Sequence, residues 1–367
     1  MTKALLPGST IGILGSGQLG RMLAMAAARL GFRCHVYGDS AGPAFDVSVQ
    51  STVGAYDDVA AVSAFAAAVS VVTYEFENVP LTAASAAALK APLRPGAKAL
   101  EIAQDRLVEK TFISDLGIPV APFAAVSSEA DFKSALEITG GGQAILKTRR
   151  LGYDGKGQAR ISGGEVLGDA FTALGGGETI LEGHVPFDFE VSVLVVRGAG
   201  GEIAFYDIPL NTHRDGILDT SSVPSPLPAH HTARAREIAA AIAEALDYTG
   251  VLAVEMFYSA AEGAEALIVN EIAPRVHNSG HWTIDACAVS QFENHIRAVA
   301  GWPLGPTDRH SDAVMQNLIG ADIDAWPQLA AEASAGLHLY GKNDARPGRK
   351  MGHITRIRPR SDQPKNG

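Results

Sequence analysis

The chain has 367 residues and a formal net charge of −10 at pH 7. This length predicts two or three domains, and the acidic balance argues against a nucleic-acid or anionic-membrane surface while leaving room for a small anionic substrate. No apolar run reaches the roughly 18 residues of a membrane span, and the first residues lack the pattern of a signal peptide. The chain has only two cysteines, Cys34 and Cys287, far apart in sequence and neither in a C-x-x-C motif, which argues against a disulfide scaffold or a cysteine-rich zinc site and fits a reducing compartment. We expect a cytoplasmic protein with neither nucleic-acid nor membrane partners.

The first motif is GILGSGQLGR over residues 12–21, which contains a G-x-G-x-x-G pattern. An apolar strand precedes it, a helix is predicted over 20–30, and Asp39 follows a second strand. This arrangement is typical of a Rossmann-type dinucleotide site. It therefore predicts a parallel α/β layer and keeps an NAD-dependent dehydrogenase as one hypothesis.

The parallel layer is expected to continue to a strand over 69–74, followed directly by Glu75 and Glu77. Ligands of doubly wound sheets bind at the carboxyl ends of strands, so a carboxylate here can hold ribose hydroxyls. The alternative is an acidic residue attracted to a helix N-terminus. One helix is predicted over 97–116.

A lysine and glycine-rich loop reads LKTRRLGYDGKGQ over residues 146–158. Glycines let main-chain N–H groups close around phosphate oxygens, and Lys147 and Lys156 add positive charge. No G-K-[S/T] follows, so this is not a Walker loop. The pattern fits a phosphate cradle or a solvated surface hairpin.

Residues 251–275 are predicted to form a β-hairpin in which Glu255 and Glu271 interrupt apolar strands. If the hairpin is centred on Gly263, Glu255 lies opposite Glu271 on one face, where two carboxylates repel. A magnesium ion would remove this repulsion, and two solvated glutamates are the alternative. Asn270 points to the other face unless a bulge intervenes.

Two further segments are rich in cations. Residues 274–282 (PRVHNSGHW) favour anion binding over zinc, because no acidic or cysteine partner stands at zinc-ligand spacing. Residues 339–353 (LYGKNDARPGRKMGH) suit a phosphate group, although such basic runs are often solvated turns.

Together these segments resemble the ATP-grasp superfamily and, within it, the 5-(carboxyamino)imidazole ribonucleotide synthases (phosphoribosylaminoimidazole carboxylase ATPase subunits). The resemblance extends over almost the whole chain and is carried by the order and number of the pieces GSGQLGRM, TYEFENVP, QDRLVEK, LKTRRLGYDGKGQ, NTHRDGIL, VEMF, NEIAPRVHNSGHWT and YGK…GRKMGH.

The resemblance implies a mixed α/β ATP-grasp fold with an N-terminal Rossmann-like (preATP-grasp) domain and a small C-terminal β-rich domain. The expected divisions are a Rossmann-like domain (1–105), a small ATP-grasp subdomain with the glycine-rich lid (106–186), a large subdomain with the metal site (187–300), a segment completing the substrate site (301–358) and a disordered tail (359–367).

The resemblance also assigns the site residues. Those assigned to ATP are Arg106, Lys147, Gly152, Tyr153, Asp154, Gly155, Lys156, Gly157, Gln158, Glu182, Gly183, His184, Val185, Glu190, His213, Asn270 and Glu271. Those assigned to the ribonucleotide are Gln18, Leu19, Glu75, Asn278, Lys342, Arg349 and Lys350. The metal ligands are Glu255, Glu271 and Asn270, and the catalytic candidates are Tyr153, Lys156, Arg275 and His277.

The implied reaction is ATP- and bicarbonate-dependent carboxylation of the exocyclic amine of 5-aminoimidazole ribonucleotide, through carboxyphosphate, in purine biosynthesis. Two magnesium ions are expected, with manganese as an alternative, and the family generally works as a homodimer. Three other hypotheses stay open: a sister ATP-grasp ligase (a formate-dependent glycinamide ribonucleotide transformylase or a biotin-carboxylase-like enzyme), the NAD-dependent dehydrogenase, and an inactive nucleotide sensor.

Overall fold

The N-terminal layer is a parallel α/β sheet. In the computed structural model, which describes residues 4–152, 155–162, 164–261 and 266–361, the elements of this layer are β1 (Thr10–Leu14), α1 (Gln18–Arg29), β2 (Arg33–Gly38), β3 (Gln50–Val53), α2 (Val59–Ala67), β4 (Val71–Tyr74), α3 (Leu81–Ala88) and α4 (Ala97–Ala103). The strands lie in the order β3-β2-β1-β4 and are parallel. The predicted strand, glycine turn, helix and strand at the start of the chain are confirmed.

The predicted continuous helix over 97–116 is wrong, because the chain breaks between α4 and α5 (Arg106–Asp115). Asp105 has extended backbone angles (φ −131°, ψ 112°), and its carboxylate accepts a hydrogen bond from Leu107 N at 3.0 Å. An aspartate N-cap satisfies the first unpaired N–H groups and so begins a new helix. The direction of α5 is therefore set independently of α4.

The second layer is a small antiparallel sheet in the order β5-β8-β6-β7. Its elements are β5 (Phe123–Val126), α6 (Phe132–Ile138), β6 (Ala144–Thr148), β7 (Gln158–Ile161), α7 (Gly164–Ala173) and β8 (Thr179–Gly183). The glycine-rich loop joins β6 to β7, a strand that the sequence pattern did not predict, and Lys147 pairs with Gln158 across its base. Tyr153 and Asp154, at the centre of this loop, lie outside the described residues.

The third layer is a large sheet that also contains the last strands of the chain. Its elements are β9 (Phe189–Arg197), β10 (Ile203–Phe205), β11 (Leu210–Arg214), β12 (Ile217–Val223), α8 (Ala229–Ala245), β13 (Gly250–Tyr258), β14 (Leu267–Ala273), α9 (Thr283–Ala286), α10 (Gln291–Ala300), β15 (Ser311–Ile319), α11 (Trp326–Ala330), β16 (Ala335–Leu339) and β17 (Lys350–Pro359). The order is β14-β13-β9-β11-β12-β15-β17-β16, with β10 on β9. The C-terminal strands thus extend the sheet that carries the glutamate hairpin.

The chain is ordered beyond the point at which the polar tail was expected to begin. Strand β17 ends at Pro359, which pairs with Ser311, and Ser361 N donates to Asp312 Oδ2 at 3.1 Å. Residues 362–367 lie outside the described residues. Across the described ranges, no helix combines the length and apolar character needed to cross a membrane.

The glycine-rich turn before α1 encloses a carboxylate of the protein itself. Glu75, at the end of β4, accepts hydrogen bonds from Gly17 N and, at 2.6 Å, from Gly20 N. A helix N-terminus is a ready anion site, and here Glu75 occupies it. Of the two residues expected to meet the substrate in this turn, Leu19 is buried in the core and Gln18 is half-buried.

We predict that Gly17→Ala destabilises the fold by about 1–3 kcal/mol, because an added Cβ would lie 2.7 Å from Glu75 Oε1. Gly96→Ala is a matched control: both glycines are helix N-caps with extended angles, and a Cβ at Gly96 meets nothing within 4 Å. Urea unfolding measures both variants, and Glu75→Ala in the Gly17→Ala background should recover part of the loss. Equal effects of the two glycine substitutions would contradict this explanation.

Candidate functional site

The glutamate hairpin is observed with the predicted register. Glu255 on β13 lies opposite Glu271 on β14, and the register shifts immediately afterwards, so that Met256 pairs with Val269. Asn270 is the extra residue of this β-bulge. A bulge disturbs the alternation of side chains and re-aims those beside it, which is the condition that the sequence interpretation required for Asn270 to act with Glu271.

Each glutamate of this hairpin has a cationic or titratable partner. Arg106 Nη1 lies 2.8 Å from Glu271 Oε2, and His277 Nε2 lies 2.9 Å from Glu255 Oε1. Burial raises the pKa of Glu271, but the charge of Arg106 outweighs burial and lowers the pKa below its usual value. The Glu271 carboxylate is therefore kept ionised and can accept a cation in a partly dry site.

A third carboxylate and a histidine adjoin this pair. The ligand atoms of Glu190, His213 and Glu255 all lie within 4.8 Å of one another, and His213 Nδ1 is 3.2 Å from Glu190 Oε2. Burial lowers the pKa of His213, but the carboxylates of Glu190 and Glu255 outweigh it and raise the pKa above its usual value. Glu190 and His213, which the family resemblance assigns to ATP, are thus brought beside the hairpin.

Two lysines share one buried glutamate beneath the small sheet. Lys147 Nζ lies 2.9 Å and Lys110 Nζ lies 3.3 Å from Glu182 Oε2, and all three side chains are nearly inaccessible. Burial lowers the pKa of Lys147, an effect that Glu182 opposes. In the segment that follows Glu182, Gly183 N donates to Pro122 O and His184 N donates to Gln143 O. The main-chain N–H groups of these two residues therefore already have partners within the protein.

The loop after β14 carries two of the four catalytic candidates, Arg275 and His277, and a buried amide without a hydrogen-bond partner among the described residues. Arg275 donates to Glu77, and its guanidinium is also close enough to Glu255 and Glu271 for their charges to raise its pKa. Asn278 is 8% exposed, and neither polar atom of its side chain has a hydrogen-bond partner among the described residues. Buried polar groups are normally paired, which makes this amide a candidate ligand contact.

The basic segment near the C-terminus lies beside the glycine-rich turn. Lys342 Nζ donates to Lys350 O at 2.7 Å, and Arg349 Nη1 donates to Asp344 O at 3.0 Å. Burial, together with the charge of Arg349, lowers the pKa of Lys342 to about 8. Burial raises the pKa of Glu75, and Lys342 is among the charges that oppose this. This electrostatic interaction between Lys342 and Glu75 agrees with the assignment of both segments to one ribonucleotide site.

Comparison with known proteins matches every layer of the chain. Residues 8–104 match the ribonucleotide synthetase preATP-grasp domain, residues 111–292 the ATP-grasp domain, and residues 313–366 the phosphoribosylaminoimidazole carboxylase C-terminal domain. The N5-carboxyaminoimidazole ribonucleotide synthase of Brucella melitensis is 53% identical over 361 residues, which span 98% of this chain and 99% of the relative.

The chain belongs to the N5-carboxyaminoimidazole ribonucleotide synthase family.

Two crystal structures from the N5-carboxyaminoimidazole ribonucleotide synthase family agree with this assignment. The N5-carboxyaminoimidazole synthetase from Staphylococcus aureus, complexed with ADP, is 37% identical with a TM-score of 0.92, covering 97% of this chain and 95% of that one. The synthase from Aspergillus clavatus, in complex with ADP and 5-aminoimidazole ribonucleotide, is 30% identical with a TM-score of 0.89, covering 96% and 95%. The predicted ATP-grasp fold and ligase class are confirmed, and the dehydrogenase and sister-ligase alternatives are not supported.

Sequence reasoning missed three partner residues in the site. Glu77 was considered, together with Glu75, only as a carboxylate that can hold ribose hydroxyls, and in the structure it holds Arg275. Glu109 and Lys110 lie within the QDRLVEK segment, of which only Arg106 was interpreted. Arg106, Glu109 and Lys110 stand at i, i+3 and i+4, and residues at this spacing share one face of a helix. This spacing was the signal that could have placed these three residues on the side of α5 that faces β14. Burial raises the pKa of Glu109 to about 8.

We predict that Glu182→Gln destabilises the protein by about 3–5 kcal/mol, because it leaves Lys110 and Lys147 buried without their carboxylate. Glu178→Gln is the matched control: its carboxylate also pairs with a cation, Arg149, but is 61% exposed, so about 0–1 kcal/mol is expected. Urea unfolding compares the two. A Glu182→Gln loss no larger than that of the control would contradict the buried-network interpretation.

Proposed function

We propose that the protein uses ATP to carboxylate the exocyclic amine of 5-aminoimidazole ribonucleotide with bicarbonate, through carboxyphosphate. The observation that carries this proposal is the position of Arg275, which pairs with Glu77 on the ribonucleotide side and is electrostatically coupled to Glu255 and Glu271 on the ATP side. One guanidinium thus adjoins both halves of the site. This is where an anionic intermediate formed from ATP and bicarbonate would be passed to the amine.

The donor set at the hairpin fits magnesium. Glu255 and Glu271 face each other across the register, and Mg²⁺ takes carboxylate oxygens together with substrate phosphates. Asn270, the extra residue of the bulge, would add an amide oxygen, and manganese would accept the same donors. When bound, the ions would neutralise the phosphate oxygens of ATP.

The ribonucleotide is proposed to bind between the glycine-rich turn and the basic segment. Lys342, Arg349 and Lys350 supply the positive charge that a phosphate requires. Glu75 supplies a carboxylate for hydroxyl or amine groups, and the unpartnered Asn278 side chain supplies a donor and an acceptor in a buried position.

The chemistry then proceeds in two transfers. A bicarbonate oxygen attacks the γ-phosphoryl group, the bond to ADP breaks, and carboxyphosphate forms; Arg106 and Lys147 would hold the phosphate oxygens in line. The amine nitrogen next forms a bond to the carboxyl carbon, directly or after CO₂ is released, inorganic phosphate leaves, and the amine gives up a proton. His277, oriented by Glu255 at 2.9 Å, is proposed to accept that proton, while Arg275 holds the intermediate.

The loop between β6 and β7 is proposed to cover the phosphates with Lys156 and to keep water from the carboxyphosphate. Tyr153, within the same loop, is a further proposed contact for bicarbonate. The family resemblance extends the proposal to a homodimer in the cytoplasm, which sedimentation and cell fractionation would check.

The test of this function is an ATPase assay across acceptors. We expect phosphate release that requires both 5-aminoimidazole ribonucleotide and bicarbonate. Release with formate and glycinamide ribonucleotide would instead support the sister ligase, and saturable nucleotide binding without turnover would support the sensor.

Glu271→Ala should abolish turnover while leaving the circular dichroism spectrum unchanged, because it removes a proposed metal ligand. Turnover like that of the parent protein would refute the metal assignment.

We predict a pH dependence that originates at Lys342, whose pKa is about 8. The ammonium is protonated below that pH and attracts the substrate phosphate, and it becomes neutral above it. The kcat/KM for the ribonucleotide should therefore fall by roughly 10- to 100-fold between pH 7 and 9.5, the size of one lost charged hydrogen bond. Lys342→Arg keeps its charge at high pH, so the fall should disappear from its pH profile. An unchanged profile in that variant would exclude Lys342 as the titrating group.

A further inference from the structure

The bulge that carries the proposed metal ligands lies at the open edge of the large sheet. Strand β14 is the last strand in the sheet order and pairs only with β13 on that path. The outer main-chain groups of such an edge have no strand partner and must be satisfied in another way. Val269 N is satisfied by Pro119 O at 2.9 Å. The bulge itself, at Asn270, needs further partners.

Those partners come from one face of α5. Glu109 Oε1 accepts a hydrogen bond from Ile272 N at 2.7 Å, and Lys110 Nζ donates to Asn270 O at 2.8 Å. We call Glu109 and Lys110 the edge clamp. Arg106, on the same face, binds the Glu271 side chain. The three consecutive residues 270–272 are thus each held by a residue of this helix face.

The helical spacing makes these contacts possible. Residues at i, i+3 and i+4 lie on one face of a helix, so Arg106, Glu109 and Lys110 all reach the same stretch of β14. Because Asp105 caps α5 and is itself gripped by Arg149 at 2.7 Å, the helix is fixed at the end nearest the site.

The edge clamp buries two ionisable side chains, which costs free energy of folding. Glu109 is 2% and Lys110 is 1% exposed, and burying ionisable side chains is expensive even when they are paired. A β-bulge places two residues opposite one, so the extra residue is unpaired and the hydrogen-bond ladder is disrupted there. The hydrogen bonds of Asn270 O and Ile272 N, on either side of Glu271, fix the main chain of the bulge.

We propose that Glu109 and Lys110 are positioning residues that lock the main chain of the bulge, so that Glu271 and Asn270 are held in the orientation that binds the metal. This inference rests on the proposed metal site and adds residues to which that proposal gives no role. Partners one step removed from a metal typically change its affinity by roughly 10- to 100-fold when they are lost.

The test is Mn²⁺ binding measured by electron paramagnetic resonance on the purified protein with saturating ADP, together with ADP binding without metal. We expect Glu109→Ala to weaken Mn²⁺ binding by roughly 10- to 100-fold and to leave metal-free ADP binding unchanged. Glu109→Gln keeps an oxygen that can accept from Ile272 N, so it should restore Mn²⁺ affinity. Glu101→Gln, at an exposed carboxylate on α4, is the matched control and should behave as the parent protein does.

Lys110→Met provides an independent variant if Glu109→Ala does not fold, and it should weaken Mn²⁺ binding in the same range. Parent-like Mn²⁺ affinity in the folded variants would overturn the proposal, as would an equal loss of metal and metal-free ADP affinity. Failure of the metal site itself is distinguishable, because Glu255→Gln and Glu271→Gln would then leave Mn²⁺ binding unchanged.

Discussion

A charge network where α5 meets β8 and β14 holds the site together. Lys110 and Lys147 share Glu182 in a buried position, and beside them Arg106 holds Glu271, whose side chain is 37% exposed. The buried charges of Lys110, Lys147 and Glu182 are costly without their partners. The network therefore fixes the small sheet, the helix and the glutamate hairpin relative to one another, and it places positive charge where the ATP phosphates are proposed to lie.

A second carboxylate, Glu75, organises the half of the site in which the ribonucleotide is proposed to bind. It occupies the helix N-terminus that would otherwise attract a phosphate, and this close approach explains the glycines of the turn. The turn is of Rossmann type, yet its anion is supplied by the protein. A motif typical of dinucleotide binding thus occurs in a chain that is similar to the Aspergillus clavatus synthase, whose structure is in complex with ADP and 5-aminoimidazole ribonucleotide. Arg275 then connects the two halves through Glu77.

Much of the fold and several site residues could be predicted from local pattern. The strand, glycine turn and helix at residues 10–29 are set by local periodicity and turn chemistry, and the facing of Glu255 and Glu271 follows from the two-residue period of a hairpin. The prediction of one helix over 97–116 was wrong. Apolar periodicity continues across Asp105 and favours a continuous helix, whereas the Asp105 side chain accepts a hydrogen bond from Leu107 N and starts a new helix.

The family, the order of the layers and the identity of the charged groups could be predicted from the chain, because they depend on motifs and on contacts within single hairpins. The partners of those charged groups became known from the folded structure: Glu75 with glycines 55–58 residues away, Arg275 with Glu77, and the edge clamp with the bulge. Such pairs join elements that are distant along the chain. No local period encodes which helix face covers which strand edge; the packing of the finished layers settles it.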